Sequence, residues 1–230
     1  MLKSIKAIVW DLDGTLIHFK IDYLRARHVA IKILKNYGVP KNLLTVKYSI
    51  LENVTSARDF FQKKGFSNGK VNAIIAEVDK EIIKIEYKAA VNATMINGID
   101  QVLKFAKSKD LKQAIFTFNT RKNAKISLKK VRLLGFFVII VGRDNISNLK
   151  PHPDHLRFIC NELNVEPDEI VVIGDSDRDI EAAINVGAHS IALNTKRSNF
   201  HKQETFEKAD KVIELNDIPS KLINAIEELL

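Results

Sequence analysis

The sequence predicts an α/β protein: a Rossmann-like core with a parallel sheet, into which an all-helical segment is inserted directly after the first strand. Two observations carry this prediction. From residue 98 onward, stretches with helical spacing alternate with short apolar runs, as in parallel sheets covered by helices on both faces. Residues 20–93, in contrast, show helical patterns without a convincing strand. We therefore expect a core domain of residues 1–17 and 95–230 and a helical domain of residues 18–94.

The first strand is expected over residues 5–10, where the run Ala7-Ile8-Val9-Trp10 is apolar enough for a buried strand. Three helices are then expected in the insert. The first stops at Gly38-Val39-Pro40, and the second ends at Lys63-Lys64-Gly65, with cations in its last turn and a glycine after it. The expected helical ranges are 21–38, 42–64 and 70–92.

The remainder of the chain repeats a helix followed by a strand. Each expected strand is a short apolar run, and each expected helix carries apolar residues at helical spacing. The expected pairs are helix 98–109 with strand 112–118, helix 121–134 with strand 136–142, helix 154–164 with strand 169–175, and helix 178–186 with strand 189–194, before a last strand at 210–215 and a C-terminal helix.

Composition narrows the class of protein. Hydrophobic residues make up 46% and charged residues 28% of the 230 residues, which is ordinary for a globular protein and argues against general disorder. The first apolar stretch is too short for a secretory signal, and the run at 136–142 is too short to cross a bilayer. One cysteine, Cys160, excludes an intramolecular disulfide and a multi-cysteine metal site. We expect a cytoplasmic location without a membrane partner.

The net charge of +8 is concentrated in the insert. Residues 18–94 contain 14 Lys and Arg against 7 Asp and Glu, whereas the rest of the chain contains 22 against 21. Such an excess attracts anionic ligands, although most of these charges are expected to form solvated helix faces. The insert has no run of like charge longer than two, so nucleic acid is not the expected partner.

Polar side chains follow the expected strands of the core. Because the carboxyl ends of parallel strands meet at one edge of a sheet, we expect these side chains to lie close together. Clustered carboxylates repel one another unless cations join them, and ligation by oxygen alone suits Mg²⁺. The side chains concerned are Asp11, Asp13, Thr117, Lys150, Asp175 and Asp179.

Each of these patterns has an ordinary structural explanation when it is taken alone. Asp11-Leu12-Asp13-Gly14 is compatible with a simple turn, and the run GDSDRD at 174–179 is compatible with a helix N-terminus. Their occurrence together, each after a different strand, favours a functional site. The spacing of Asp11 and Asp13 fits this interpretation, since residues i and i+2 of an extended chain point to the same side.

The set DLDGTL, Thr117, KPHPD and GDSDRDIEAAINVGA resembles the four motifs of the haloacid dehalogenase-like hydrolase superfamily. The helical insert resembles the cap of the subclass that includes phosphoglycolate phosphatases and β-phosphoglucomutase. This resemblance implies a small phosphate ester as the substrate and Mg²⁺ as the cofactor.

The resemblance also implies a role for each motif residue. Asp11 is the expected nucleophile, and Asp13 is the expected general acid and base. Thr117 is expected to bind the phosphate group, and Lys150 to offset negative charge. The expected metal ligands are Asp11, the carbonyl group of Asp13, Asp175 and, directly or through water, Asp179.

Two residues depart from the superfamily pattern. Trp10 replaces a smaller aromatic residue in the first strand, and Phe118 replaces a small or polar residue after Thr117. The second departure leaves open whether Phe118 or Asn119 completes the phosphate-binding loop. In the cap, Arg25 and His28 are the basic residues nearest to the first motif and are expected to contact the substrate.

The resemblance leaves more than one reaction open. Dehalogenases lack a residue equivalent to Asp13, and phosphonatase-like members replace it with a small residue, so phosphomonoester hydrolysis is the leading prediction. Phosphoryl transfer between positions of a sugar is the alternative within the superfamily. A catalytically inactive nucleic-acid-binding or signalling protein is the alternative from another class.

Overall fold

The computed structural model describes residues 4–18, 20–195 and 203–230. The chain forms two compact units, one made of Met1–Phe19 with Ala90–Leu230 and the other of Lys20–Ala89. The domain boundaries that we predict from the sequence lie within a few residues of this division. The predicted core range also includes residues 1–3 and 196–202, and the predicted insert includes residue 19; these residues lie outside the described parts of the chain.

The first unit contains a parallel sheet of six strands. The strands are β1 (Ala7–Trp10), β2 (Lys112–Phe116), β3 (Ile139–Val141), β4 (Ile170–Gly174), β5 (His189–Asn194) and β6 (Lys211–Glu214). Their order in the sheet is β3-β2-β1-β4-β5-β6, which confirms the predicted Rossmann-like fold class.

Helices of this unit cover both faces of the sheet, which explains why its central strands are apolar throughout. The helices are α4 (Ile99–Ser108), α5 (Arg121–Lys130), α6 (Pro153–Leu163), α7 (Asp177–Val186), α8 (Gln203–Phe206) and α9 (Ser220–Glu227). Alternate strand residues pack with α4, α5 and α9 on one face, and with α6 and α7 on the other.

The second unit is helical and has a hydrophobic core of its own. Its buried side chains include Leu34, Ala57, Phe61 and Val78, which come from three helices. These helices are α1 (Tyr23–Asn36), α2 (Ile50–Lys63) and α3 (Asn68–Val91).

Some predicted elements are longer than the observed ones. The helix predicted over 42–64 begins only at Ile50, because Ser49 and Glu52 form a reciprocal capping box there. The preceding loop is held by Asn53, whose side-chain amide donates to the carbonyl oxygens of Thr45 and Ser49 at 3.0 and 2.9 Å. Likewise, the helix predicted over 121–134 ends at Lys130, and a 3-10 turn at Leu134–Phe136 shortens the strand that follows.

Candidate active site

The end of β1 carries Asp11 into the centre of the sheet edge. The backbone N–H of Asp11 donates to the carbonyl oxygen of Ile173 at 2.9 Å, which extends the β1–β4 ladder by one residue. Since β4 ends at Gly174, the next residue on that strand, Asp175, emerges beside Asp11. On the other side of β1, the backbone N–H of Thr117 donates to the carbonyl oxygen of Val141 at 3.1 Å, which extends the ladder between β2 and β3 by one residue.

Lys150 lies at the centre of this cluster. Its Nζ donates to Asp11 Oδ1 at 2.5 Å and to Asp179 Oδ1 at 2.6 Å, and it lies 3.3 Å from the carbonyl oxygen of Phe116. The ammonium group also lies 4.2 Å from the centre of the Phe116 ring. All three charged side chains are buried, so solvent does not weaken these two ion pairs.

Burial and charge act in opposite directions on the cluster. Burial raises the pKa of Asp11 to about 7; Lys150 lowers the pKa, and Asp179 and Asp175 raise it. Burial alone would lower the pKa of Lys150, but Asp11 and Asp179 raise it above its ordinary value. Lys150 is therefore a permanent cation in a group of carboxylates that carries more negative than positive charge.

The donor set of this edge fits a divalent cation. Asp11, Asp175 and Asp179 are buried, and each offers a carboxylate oxygen within 4.8 Å of the others. Lys150 supplies a single positive charge against these three carboxyl groups. Excess buried negative charge and oxygen donors together are what Mg²⁺ requires of a protein site.

Asp179 is engaged by neighbours through both of its oxygens. Oδ1 accepts from Lys150, and Oδ2 accepts from the backbone N–H and the hydroxyl group of Ser176 at 2.9 and 2.6 Å. The side chain is completely buried. This arrangement favours an indirect role for Asp179, in which it holds Lys150 and the start of α7.

The loop between β2 and α5 brings Asn119 to Asp13. Asn119 Nδ2 donates to Asp13 Oδ2 at 3.3 Å, while its backbone N–H donates to Thr117 Oγ1 at 3.0 Å. Asn119 Oδ1 accepts from the backbone N–H of Thr120 at 3.1 Å. The Phe118 backbone N–H, in contrast, takes part in no hydrogen bond within the described parts of the chain.

The ring of Phe118 lies near two cations. Its ring centre is 5.2 Å from Lys150 Nζ and 5.3 Å from the guanidinium carbon of Arg178, and its carbonyl oxygen accepts from Arg143 Nη1 at 2.8 Å. The other departure from the superfamily pattern, Trp10, is accommodated because its indole N–H donates to Gln113 Oε1 at 3.2 Å.

The two basic candidates of the insert belong to the second unit. Arg25 and His28 are exposed and lie on α1, which begins after Asp22. The side chain of Asp22 accepts from the backbone N–H of Arg25 at 3.0 Å. Substrate contact by Arg25 and His28 stays a prediction.

Several residues that support the cluster were not predicted from the sequence. Ser176 binds Asp179, and Thr195 Oγ1 donates to Asp175 Oδ2 at 3.3 Å. Gly174 is required by Asp179, because a Cβ atom at residue 174 would collide with the Asp179 carboxyl group. His155 packs edge-on against Phe116, with 5.5 Å between ring centres. Ser176 and Gly174 lie within the run GDSDRD, so this motif could have indicated them. Thr195 and His155 lie in none of the four motifs.

Comparisons with known proteins find phosphatases among the similar sequences. The chain is 28% identical over 197 residues to a phosphorylated carbohydrates phosphatase of Thermotoga maritima, a match that covers 81% of this chain and 83% of that protein. It is also 28% identical over 192 residues to a phosphoglycolate phosphatase of Aquifex aeolicus, covering 79% of this chain and 81% of the relative.

Solved structures show the same fold. The structure of β-phosphoglucomutase from Clostridium difficile superposes with a TM-score of 0.70 at 22% identity, covering 97% of both chains. The model of one protein family, described as haloacid dehalogenase-like hydrolase, matches residues 8–193. The motif-bearing strand ends, the buried cluster and this match together show that the chain belongs to the haloacid dehalogenase-like hydrolases.

Proposed function

We propose that this protein is a Mg²⁺-dependent phosphomonoester hydrolase that acts through an aspartyl-phosphate intermediate. One observation carries the proposal: Asp11 is held by the buried ammonium group of Lys150 at the edge of the sheet, with Asp13 two residues further on. A fixed carboxylate nucleophile beside a second, half-buried carboxyl group is the pair that the two steps of this reaction need.

In the first step, an oxygen of Asp11 attacks the phosphorus atom of the ester. The bond from Asp11 to phosphorus forms as the bond from phosphorus to the leaving oxygen breaks. Asp13, in its protonated form, donates its proton to that oxygen, so the product leaves as an alcohol. Lys150 orients Asp11 and offsets the negative charge that the phosphate group brings into the cluster.

In the second step, a water molecule displaces Asp11 from phosphorus. Asp13, now a carboxylate, removes a proton from the attacking water, and the bond between Asp11 and phosphorus breaks. Inorganic phosphate is released, and both carboxyl groups return to their starting states.

The group that binds the transferred phosphate is proposed to combine Thr117 and Phe118. The hydroxyl group of Thr117 accepts from Asn119, which leaves its own proton for a phosphate oxygen. The Phe118 backbone N–H, engaged in no hydrogen bond of the described residues, supplies a second donor. We therefore propose that Phe118, rather than Asn119, completes the phosphate-binding loop.

Mg²⁺ is proposed to be held by Asp11, Asp175 and the carbonyl group of Asp13, with Asp179 acting indirectly through Lys150. When it is bound, the ion lowers the repulsion between the carboxylates and an anionic phosphate. The role of Thr195 and Ser176 is to orient Asp175 and Asp179 by hydrogen bonds.

The proposed substrate is a small phosphorylated metabolite. Two relatives carry the names phosphorylated carbohydrates phosphatase and phosphoglycolate phosphatase, which support a sugar phosphate or a phosphorylated acid. No helix within the described residues is both long and apolar enough to cross a membrane.

A screen for phosphate release tests this proposal. We expect the protein, with Mg²⁺, to hydrolyse several phosphomonoesters, and Asp11→Asn to lower the rate by roughly 10³-fold or more, because an amide cannot replace the nucleophile. Asp110→Asn is the matched control: it makes the same change at an exposed residue before β2, at the opposite end of the strands. Release that persists in Asp11→Asn contradicts the nucleophile assignment.

The same screen separates hydrolysis from the alternatives. A phosphoglucomutase-like enzyme would convert one sugar phosphate into another with little release of phosphate. A protein that has lost catalysis would neither release phosphate nor convert one sugar phosphate into another. Net phosphate release that depends on Asp11 supports hydrolysis against both.

A further inference from the structure

The backbone of Asn119 is held by hydrogen bonds at both its N–H and its carbonyl oxygen. Its backbone N–H donates to Thr117 Oγ1 at 3.0 Å, and its carbonyl oxygen accepts from the backbone N–H of Arg143 at 3.0 Å. Only 3% of the residue is exposed. Gly142 permits this close packing, because a Cβ atom there would lie 2.7 Å from the carbonyl oxygen of Asn119.

The amide group of Asn119 can face its two neighbours in only one way. The backbone N–H of Thr120 is a donor, so the atom 3.1 Å from it must be the amide oxygen. The amide nitrogen then faces Asp13, whose Oδ2 lies 3.3 Å away and can accept. The loop after β2 therefore presents a hydrogen-bond donor, held from three sides, to the carboxyl group of Asp13.

Asp13 lies in a turn whose backbone is hydrogen-bonded, with the backbone N–H of Gly14 donating to the carbonyl oxygen of Ile17 at 2.8 Å. It lies three residues beyond the end of β1 and is followed by Gly14, whose φ of 104° turns the chain away. A carboxyl group that exchanges a proton with the leaving oxygen and later with water must keep one orientation through both steps.

We infer that Asn119 is a positioning residue for Asp13: its Nδ2 holds the carboxyl group that gives and takes the proton. This role rests on the proposed hydrolase function and differs from the phosphate-binding role that the sequence suggested for Asn119. In this arrangement Asn119 supports the proton transfer by Asp13, and Thr117 and Phe118 bind the phosphate group.

Leaving-group dependence tests this role. Hydrolysis of 4-nitrophenyl phosphate needs little proton donation, because 4-nitrophenolate is a stable leaving group, whereas phenyl phosphate depends on it more strongly. The quantity to measure is the ratio of kcat/KM for 4-nitrophenyl phosphate to kcat/KM for phenyl phosphate, since kcat/KM reports the formation of the aspartyl-phosphate. We expect Asn119→Ala to raise this ratio about tenfold over wild type, a fraction of what general acid catalysis supplies.

Two further variants separate positioning from damage to the fold. Asn119→Ser keeps an oxygen that can accept from Thr120 but is too short to reach Asp13, so it is expected to raise the ratio as well. Thr120→Ala removes the side chain that caps α5 through Asn123 and leaves the contact between Asn119 and Asp13 intact. Its ratio is expected to equal that of wild type.

Inhibition by inorganic phosphate distinguishes this role from phosphate binding. We expect the inhibition constant to stay within about twofold of wild type in both Asn119 variants. An unchanged ratio, or weaker inhibition by phosphate without a change in the ratio, overturns the positioning role. Absence of phosphate release from both compounds by the wild-type protein overturns the proposed function itself, and the role of Asn119 with it.

Discussion

The ammonium group of Lys150 is almost completely excluded from solvent. It remains charged because two carboxylates contact it. The side chain of Lys150 is 1% exposed, and those of Asp11 and Asp179 are 8% and 0% exposed. Removing one member of such a group leaves an uncompensated buried charge, which typically costs about 3–5 kcal/mol of stability. The cluster thus holds Asp11, the proposed nucleophile, in place at a cost to stability.

His155 is a second buried ionisable group near the site. Its Nε2 lies 3.3 Å from the carbonyl oxygen of Val141, which also accepts from the backbone N–H of Thr117. Burial lowers the pKa of His155 to about 4, and the nearby charge of Lys150 lowers it in the same direction. The imidazole ring is therefore neutral at pH 7 and supports the strand that carries Thr117.

We predict that His155→Phe flattens the pH dependence of stability below pH 6.5. In the wild type, the unfolded chain binds a proton at an ordinary pKa of 6.5, whereas the folded chain binds it only near 4. Stability is therefore lost as the pH falls through this window, by up to about 1.4 kcal/mol per pH unit from this residue. Urea denaturation between pH 7 and pH 4.5 measures the slope, and parallel slopes in the two proteins would contradict the prediction.

At the scale of elements, the turn from β4 into α7 depends on a close contact between Gly174 and the side chain of Asp179. Gly174 ends β4, and the buried carboxyl group of Asp179 packs directly over its Cα atom. Ser176 binds that carboxyl group from the start of α7. The order of these residues in GDSDRD thus reflects the geometry of a strand that turns sharply into a helix.

Gly174→Ala is expected to destabilise the protein by about 1–3 kcal/mol, because the added methyl group displaces Asp179. Activity is expected to fall as well, since Asp179 holds Lys150. Gly135→Ala is the matched control, because a Cβ atom there meets no atom within 4 Å. Chemical denaturation and phosphate release measure both effects, and equal stability of the two variants would refute the prediction.

At the scale of the whole molecule, the distribution of net charge follows the division of the chain into two units. Most of the net charge of +8 lies in the helical unit, whereas the carboxylate cluster of Asp11, Asp175 and Asp179 lies in the unit that contains the sheet. Several cations of the helical unit have structural partners there. Arg27 donates to the carbonyl oxygen of Val46 at 2.8 Å, and Arg58 donates to Asn72 at 3.0 Å.

Mg²⁺ is expected to stabilise the folded chain, because the folded state alone assembles the carboxylate cluster. At one hundred times its dissociation constant the ion should add about 2.7 kcal/mol to the free energy of unfolding. Asp175→Asn should abolish most of this gain, and EDTA should reverse it. Urea denaturation with and without Mg²⁺ measures the effect without any substrate, and an equal gain in both proteins would exclude Asp175 as a ligand.

Much of the fold was predictable from local patterns. The alternation of helices and apolar runs predicts a parallel sheet, and the observed strands fall within the predicted ones. Boundaries were less predictable where a side chain overrides the pattern. Apolar spacing extends the second helix back to residue 42, but hydrogen bonds from Asn53 and the box of Ser49 and Glu52 stop it at Ile50.

The sequence by itself determined the fold class and the residues that follow each strand, because strand period, turn residues and motif spacing are local properties. Only the tertiary structure decided which of those residues touch. Lys150 and Asp11 are 139 positions apart, and Asn119 and Asp13 are 106 apart. Their contacts depend on strand order and loop path to within an ångström, which no local pattern encodes. For this reason the sequence left open whether Phe118 or Asn119 binds phosphate, and the contact between the Asn119 amide and Asp13 is visible only in the structure.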